Sequence, residues 1–348
     1  MPLIIPIFVM NRGCPHRCVF CNVQKTAGNH PERISEDAFR KTVQKHLSSM
    51  KRTSDRVQIA FYGGNFTGME RDDQINLLEY AGVFIRQGLV HNIRISTRPD
   101  CLNTECIGML KAYNVTTVEI GVQSMVDEVL NLANRGHSSD DVIYSMNILK
   151  AGGFETGIHL MVGLPGDSRA SFEYTVEKTI GLQPDSVRIH PTLVLQDTDL
   201  AKYYLNGDYV PLSLAEAIDL CKLALRRFEE AGIPVIRLGL QTTQEMEAPG
   251  SIIAGPFHPS FRSLVEGSLF FDMAASLLEE EQVKEKDIVF SLSPKDISIF
   301  RGQRSVNIHT LKKIYDIAAV TVSADPEQKR GSLAIVVDGR KSKICRFN

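Results

Sequence analysis

The first two thirds of the chain alternate short runs rich in Val and Ile with longer amphipathic stretches. Apolar runs bounded by Gly and Pro are typical of strands buried on both faces, and amphipathic stretches predict helices. The predicted strands cover residues 3–10, 57–62, 93–97, 116–122, 156–162 and 186–194. The predicted helices cover residues 36–50, 72–87, 104–113, 139–151 and 168–182, several with Ser or Thr in N-cap position. This repeated order predicts an α/β fold with a parallel sheet, open or curled into a barrel.

One further helix and strand are predicted at residues 214–231 and 234–240, after which the composition of the chain changes. Residues 242–259 are rich in Gly, Pro and small side chains and predict a loop. A helix at 261–278 follows, and the tail predicts strands near 287–292, 318–322 and 333–337 with a helix near 306–315. We therefore expect a core at residues 1–241 and a C-terminal extension of loop, helix and small α+β tail at residues 242–348.

The apolar run at residues 3–10 predicts a buried strand and not a secretory signal. Only Met1 and Pro2 precede it, so the run lacks the basic segment that opens a signal peptide. No apolar run reaches the ~18 residues that a membrane-spanning helix needs. These patterns predict a cytoplasmic, reducing compartment, where clustered thiols are more often metal ligands than disulfides.

Composition adds one exclusion. The 348 residues include 39 Lys and Arg against 41 Asp and Glu, and the net charge of −2 excludes a globally basic nucleic-acid-binding protein. A local basic surface for RNA stays open, with ordinary solvated side chains as the alternative. Two groups of basic residues qualify. They are Arg40, Lys41, Lys45, Lys51, Arg52 and Arg56 near the first helix, and Arg330, Arg340, Lys341, Lys343 and Arg346 in the tail.

Cysteine usage is the clearest sign of chemistry. Three of the seven cysteines form a CxxxCxxC cluster in the loop after the first strand, namely Cys14, Cys18 and Cys21. Three thiolates leave a structural zinc site one ligand short, although His16 could complete it. On a four-iron cluster, three thiolates leave one iron open to an exogenous ligand, which is a catalytic arrangement. The scattered cysteines predict small buried apolar residues, so we expect a single cluster; they are Cys101, Cys106, Cys221 and Cys345.

The cysteine motif and several segments at strand ends resemble one known superfamily. CxxxCxxC with an aromatic residue before the last cysteine, here Phe20, resembles the signature of the radical S-adenosylmethionine (SAM) superfamily. Tyr62-Gly63-Gly64-Asn65 is similar to its glycine-rich GGE-type motif, with Asn65 in place of the usual acid. Segments 96–100, 118–124, 134–137 and 189–194 resemble the radical domain of the elongator catalytic subunit. Segment 160–166 is also similar to oxygen-independent coproporphyrinogen oxidases.

The resemblance implies a fold and two cofactors. The implied fold is a partial (β/α)6 TIM-like barrel, followed here by the small α+β C-terminal extension. One 4Fe-4S cluster would be held by Cys14, Cys18 and Cys21, and its open iron would bind SAM. Reductive cleavage of SAM would release a 5′-deoxyadenosyl radical, while the protein binds, orients and excludes water.

The implied SAM contacts lie at strand ends, where parallel sheets and barrels bind ligands. They are Gly63, Gly64, Asn65, Ser96, Thr97, Arg98, Gln123 and Arg135. The two glycines would let the backbone approach SAM closely, and Asn65 would contact its methionine amino group. The hydroxyls of Ser96 and Thr97 would contact the ribose. Arg98 and Arg135 would bind the carboxylate. Gln123 and His190 are the candidate catalytic or substrate-contacting residues. The alternatives are structural: a tight turn for the glycines, strand packing for Ser96 and Thr97, and surface ion pairs for the arginines. For Gln123 the alternative is a cap, and for His190 a core histidine. We expect packing roles for Tyr62 and His159.

The expected substrate follows from the resemblance alone. The elongator catalytic subunit modifies wobble uridine in transfer RNA (tRNA) and carries an acetyltransferase domain, for which the 75 residues after Met273 are too few. We therefore expect a radical SAM enzyme of tRNA modification without acetyl transfer. The alternatives are a radical SAM enzyme acting on a small molecule such as a porphyrin, and a non-catalytic zinc- or cluster-binding module.

The expected partners are SAM, an electron donor such as ferredoxin or flavodoxin, and tRNA if RNA is the substrate, with no membrane. Residues 254–259 just past the core predict either a lid, with His258 reaching the site, or a rigid connector.

Overall fold

The computed structural model describes residues 3–9, 13–22, 33–49, 56–240, 243–283 and 287–346. Within these ranges the strands are β1 (Leu3–Phe8), β2 (Val57–Tyr62), β3 (Asn92–Thr97), β4 (Val115–Gln123), β5 (Glu155–Val162), β6 (Ser186–Pro191), β7 (Val194–Leu195), β8 (Val235–Leu238), β9 (Ile252–Ala254), β10 (Asp287–Leu292), β11 (Ala319–Ala324), β12 (Ser332–Val337) and β13 (Arg340–Cys345). The helices are α1 (Glu36–Ser48), α2 (Arg71–Arg86), α3 (Thr104–Ala112), α4 (Asp127–Leu132), α5 (Ser139–Ala151), α6 (Arg169–Gly181), α7 (Asp199–Asn206), α8 (Leu214–Glu230), α9 (Gln244–Glu247), α10 (Phe261–Glu280), α11 (Ile297–Arg301) and α12 (Val306–Ile314). No helix in the described ranges is long and apolar enough to cross a membrane.

Seven strands form one parallel sheet in the order β1-β2-β3-β4-β5-β6-β8, curled into a half-barrel. The predicted α/β fold and partial barrel are confirmed, and the predicted strand at 234–240 adds a seventh member to the six repeated units. Because every neighbouring pair is parallel, the carboxyl ends of all seven strands lie at one rim. The cysteine loop and the predicted SAM-binding segments therefore share this rim.

The C-terminal extension is a four-stranded sheet in the order β11-β10-β12-β13. Its last strand, β13, was not predicted, because its basic and polar residues do not form an apolar run. The predicted strand at 186–194 ends at Pro191, and the separate strand β7 pairs antiparallel with β9 inside the predicted loop 242–259.

Helix α10 packs into two hydrophobic cores. Phe261 and Val265, in its first half, lie in the barrel core, whereas Phe270 and Met273 lie in the core of the C-terminal sheet. Arg262 also donates a hydrogen bond to the carbonyl of Val235 on β8 at 2.8 Å. The division at residue 242 stays a prediction, since one helix serves both parts.

A buried carboxylate lies at the centre of the barrel. Glu119 on β4 is 1% exposed and accepts hydrogen bonds from Arg94 at 2.5 Å and Arg188 at 2.7 Å. His159 Nε2 lies 3.1 Å from the same carboxylate. Burial alone would raise the pKa of Glu119, but His159 and the two arginines outweigh it and lower that pKa to about 2. The carboxylate therefore stays charged near neutral pH and holds β3, β4, β5 and β6 together from inside.

Replacing Glu119 with Gln should destabilise the protein strongly. The variant leaves Arg188 without a carboxylate and Arg94 with only Glu155, 3.9 Å away. Breaking a buried ion pair from one side costs about 3–5 kcal/mol of unfolding free energy. Urea unfolding of the apo protein at neutral pH measures this loss.

The matched control is Glu230→Gln, which breaks an exposed ion pair with Arg226 and should cost less than about 1 kcal/mol. A folded pKa of about 2 means that the wild-type carboxylate stabilises fully above its unfolded pKa of 4.5. This stabilisation is lost as the pH falls toward 2, so the gap between Glu119→Gln and wild type should narrow there. Equal stability of the two proteins at neutral pH would exclude the network as a stabilising feature.

Candidate active site

The cysteine loop lies against the barrel rim and is held there by backbone hydrogen bonds. Cys18 is buried, whereas Cys14 and Cys21 are exposed. The N–H of Val19 donates to the carbonyl of Ala133 after α4 at 3.1 Å, and the N–H of Leu200 in α7 donates to the carbonyl of Val19 at 2.8 Å. The loop therefore takes its position from segments that follow β4 and β7.

Asn65 joins the cysteine loop to the end of β3. Its Nδ2 donates to the carbonyl of Gly13 at 2.5 Å and to Cys101 Sγ at 3.0 Å. Its Oδ1 accepts from the hydroxyl of Thr97 at 2.7 Å and from the N–H of Arg98 at 3.0 Å. The side chain is 1% exposed, and all its hydrogen-bonding positions are used within the protein. The predicted contact of Asn65 with the amino group of SAM stays a prediction, next to this observed structural role.

Two glycines let the cysteine loop approach the turn after β2. A Cβ on Gly68 would lie 2.2 Å from the carbonyl oxygen of Gly13, and a Cβ on Gly13 would lie 2.3 Å from that of Asn65. Gly13 also has a φ of +75°, which favours glycine. Gly63 and Gly64 follow β2 at the same rim, half-buried, and Gly63 has a φ of +84°.

Two buried arginines lie beside the cysteines. Arg135 donates to Cys18 Sγ at 3.1 Å and to the carbonyl of Gly121 at 2.6 Å. Arg98 forms a bidentate pair with Asp100, with both N···O distances at 2.9 Å, and also contacts the carbonyl of Arg135. Arg135 Nε and Arg98 Nη1 are buried and have no hydrogen-bond partner among the described residues. Both guanidinium groups act electrostatically on the Cys14 thiol.

These donors fit an iron–sulfur cluster and a carboxylate-bearing ligand. Within the described ranges, no three His, Cys, Asp or Glu side chains are grouped closely enough to hold one metal ion. A four-iron cluster takes each thiolate on a different iron and so spaces its ligands more widely. His16 packs against Gly136, whose Cβ would meet the imidazole at 2.2 Å. The two unpartnered guanidinium N–H groups suit the negative charge of thiolates and of a carboxylate.

The two predicted ribose-binding hydroxyls already have partners. Ser96 Oγ lies 3.4 Å from Glu119 inside the barrel. Thr97 is buried, and its hydroxyl bonds both Asn65 and the hydroxyl of Thr67. Their contacts with ribose therefore stay predictions.

The two candidate catalytic residues also end strands. Gln123 is the last residue of β4, has a φ of +70°, and follows a break in the β4–β5 register. Such backbone strain in a residue other than glycine clusters at functional sites. Because a carbonyl only accepts, His190 on β6 donates from Nδ1 to the carbonyl of Gly239 at 3.2 Å. Burial lowers the pKa of His190 to about 3, so its imidazole is neutral.

The charged barrel interior was missed from the sequence. Its members are Arg94, Glu119, Arg188 and Arg237, each a charged residue inside an apolar strand. A buried strand rarely carries a charge without a partner, and that signal could have found them. Tyr62 does more than pack, because its hydroxyl lies 3.1 Å from Arg188.

Of the two alternatives for residues 254–259, a lid or a rigid connector, the contacts of His258 favour the connector. His258 Nδ1 accepts from the N–H of Ser260 at 3.0 Å, and its Nε2 lies 3.0 Å from Gln303. Both ring nitrogens therefore bond toward the C-terminal extension and not toward the barrel rim.

Comparison with curated proteins gives relatives named as tRNA uridine(34) acetyltransferases and as elongator complex protein 3. The tRNA uridine(34) acetyltransferase of Methanocaldococcus infernus is 26% identical over 260 residues, which is 64% of this chain and 48% of that protein. Elongator complex protein 3 of Homo sapiens is 27% identical over 268 residues, which is 62% of this chain and 48% of that protein. The chain thus spans about half the length of the curated relatives it matches.

Among solved structures, the archaeal Methanocaldococcus infernus Elp3 with an N-terminal deletion matches with a TM-score of 0.59 and 21% identity. The match covers 82% of this chain and 64% of that chain and shows a shared fold.

Two family models match successive parts of the chain. The model described as "Radical SAM superfamily" matches residues 8–179, and the one described as "Radical_SAM C-terminal domain" matches residues 184–270. The cysteine loop and the predicted SAM-binding residues lie inside the first match, and His190 lies inside the second. The resemblance inferred from the motifs is confirmed, and the chain belongs to the radical SAM superfamily of enzymes, which use a 4Fe-4S cluster and SAM.

Proposed function

We propose that Cys14, Cys18 and Cys21 hold the cluster of this radical SAM enzyme and that its substrate is a uridine of tRNA. One observation carries the assignment of the site. The cysteine loop lies against two buried arginines, each with one N–H group that no described residue accepts from. A structural role alone would leave those buried donors unsatisfied, which is costly.

The side chains at the rim bind and orient. When bound and reduced, the cluster supplies the electron that cleaves SAM to methionine and a 5′-deoxyadenosyl radical. Arg135 donates a hydrogen bond to Cys18 Sγ and so orients that ligand. Arg98 Nη1 and Arg135 Nε are donors for the methionine carboxylate. Gly63 and Gly64 present backbone without side chains at the end of β2.

The proposed substrate is the wobble uridine of tRNA, as the names of the curated relatives suggest. The acetyl transfer in one of those names is not carried over, because the chain spans about half of those proteins. A small ferredoxin or flavodoxin is the proposed electron donor.

The proposed tRNA-binding surface is the edge strand β13. In the first predicted basic group, Arg40 pairs with Glu36 and Lys41 pairs with Asp37, each at 2.7 Å. These pairs favour a solvated helix face. Lys51 and Arg52 lie outside the described residues.

In the basic group of the tail, ion pairs already neutralise two of the five residues. The Arg346 side chain is 9% exposed and lies within 3.5 Å of both Glu229 and Glu266, and Arg330 pairs with Asp296 at 3.0 Å. The other three basic residues are exposed on β13: Arg340, Lys341, which lies 3.8 Å from Asp325, and Lys343.

Replacing Cys18 with Ala should abolish cluster assembly, because one of three ligands is lost. Anaerobically reconstituted wild type should hold about four irons per chain and release 5′-deoxyadenosine when reduced with SAM. Iron and sulfide analysis, the visible spectrum and product chromatography measure these effects. Cys345→Ala, at an exposed position of β13, is the matched control and should behave as wild type. Zinc without iron in wild type would reject the assignment.

Replacing Asn65 with Asp distinguishes a structural role from SAM contact. The carboxylate cannot donate to Gly13 or Cys101, so unfolding free energy should fall by about 1–3 kcal/mol for each buried group left unsatisfied. Asn103→Asp is the control, because Asn103 only accepts, from the N–H of Cys106, and Asp caps a helix equally well. Urea unfolding and equilibrium dialysis with SAM are the measurements. Unchanged stability with tighter SAM binding would assign Asn65 to the SAM amino group instead.

Replacing Arg340 and Lys343 together with Gln should weaken tRNA binding. If both contact phosphates, the slope of log K against log salt should fall by about two. Filter binding of tRNA over a salt series measures it. The matched control is Arg40→Gln with Lys41→Gln, which removes the same charge from residues already paired with carboxylates.

Anaerobic incubation with SAM, a reductant and bulk tRNA, followed by nucleoside mass spectrometry, tests the substrate itself. A uridine derivative that appears only with SAM is the expected product. A salt slope unchanged in the β13 variant would reject that surface, and unmodified tRNA would reject the substrate.

A further inference from the structure

The barrel interior holds more positive than negative charge. Arg94, Arg188 and Arg237 lie on β3, β6 and β8, around Glu119, which carries the one buried carboxylate on the described strands of the barrel. The nearest further carboxylate to Arg94, on Glu155, is 3.9 Å away and has a side chain that is 45% exposed. Three guanidinium groups thus share one buried negative charge.

The excess lies on one side of the barrel. Arg237 stands opposite Arg188 in the register of β6 and β8. Among the described residues, no carboxylate lies within ion-pair distance of Arg237, and burial and Arg188 both lower its pKa. Arg188 Nε is also buried and has no hydrogen-bond partner in the part of the chain that the structure describes. Adjacent guanidinium groups with more donors than protein acceptors attract an anion strongly in a poorly solvated interior.

The pair can be reached from solvent, unlike Glu119. Tyr62, His190 and Arg237 are half-buried, whereas Glu119 is 1% exposed. His190 follows Arg188 by two residues on β6, so both lie on the same face of the sheet. His190 is therefore nearer the rim, and the two arginines lie deeper in the barrel.

We propose that Arg188 and Arg237 bind an anionic group, a carboxylate or a phosphate, of a small second substrate inside the barrel. A nucleotide flipped out of RNA enters a pocket base first, while its phosphates stay with the strand. An anion deeper than His190 therefore belongs to a separate small molecule and not to the tRNA backbone. This proposal depends on the proposed function only in one assumption, that the reaction takes place inside this barrel.

NMR titration of the anaerobic, SAM-bound holoenzyme tests the site with three probes: acetate, inorganic phosphate and acetamide. Acetamide is the neutral match for acetate. One of the two anions should bind, and Arg237→Gln should weaken that binding at least tenfold, which is about 1.4 kcal/mol. Arg226→Gln on α8, which removes an exposed arginine paired with Glu230, should change it by less than about twofold.

A second variant, Arg237→Lys, distinguishes the loss of the positive charge from misfolding of Arg237→Gln. It keeps the positive charge, so it should bind the anion more tightly than Arg237→Gln does. Preference for acetate identifies a carboxylate, and preference for phosphate identifies a phosphate ester. Equal binding of acetate and acetamide with no gain for phosphate, or unchanged binding in Arg237→Gln, would overturn the proposal. None of the probes contains RNA, so failure of the tRNA experiment leaves this result standing, and the reverse also holds.

Discussion

The buried side-chain amide of Asn65 connects the cysteine loop to the ends of two barrel strands. The loop has little regular secondary structure, so its shape depends on partners outside it. Asn65 bonds the carbonyl of Gly13 on one side and the end of β3 on the other, and Arg135 adds the contact with Cys18. Because these bonds come from the rim of the parallel sheet, the position of the cysteines depends on the curl of the barrel. The proposed sites of metal binding, SAM binding and substrate entry all lie at that rim.

Most of the fold could be predicted from the spacing of apolar residues. Parallel strands are buried on both faces, so each appears as an apolar run, and the helices between them are amphipathic. β13 escaped prediction because an edge strand in a small sheet needs only one apolar face, and its Lys341 and Lys343 point to solvent. The split between β6 and β7 also depends on tertiary pairing with β9, which no local pattern encodes.

The sequence predicted where the site residues lie better than it predicted which neighbours they contact. A motif at a strand end places residues at the rim, but it does not say which neighbour each side chain chooses. Arg98 and Arg135 lie beside the cysteines as expected, whereas Ser96 turns toward Glu119 inside the barrel. Glu119 itself was missed, because hydrophobic pattern analysis treats a charge inside an apolar run as an interruption. Its three basic partners come from different strands and meet only once the sheet curls.

Helix α10 connects the C-terminal sheet to β8, the strand at one edge of the barrel sheet. β1 and β8 are the two ends of the seven-stranded sheet and do not pair with each other. Arg346, just after β13, contacts Glu266 on α10, and Arg262 one turn earlier bonds the carbonyl of Val235 on β8. One helix therefore contacts both the C-terminal sheet and β8, so the strand at one open edge of the barrel is tied to a sheet that lies outside the barrel.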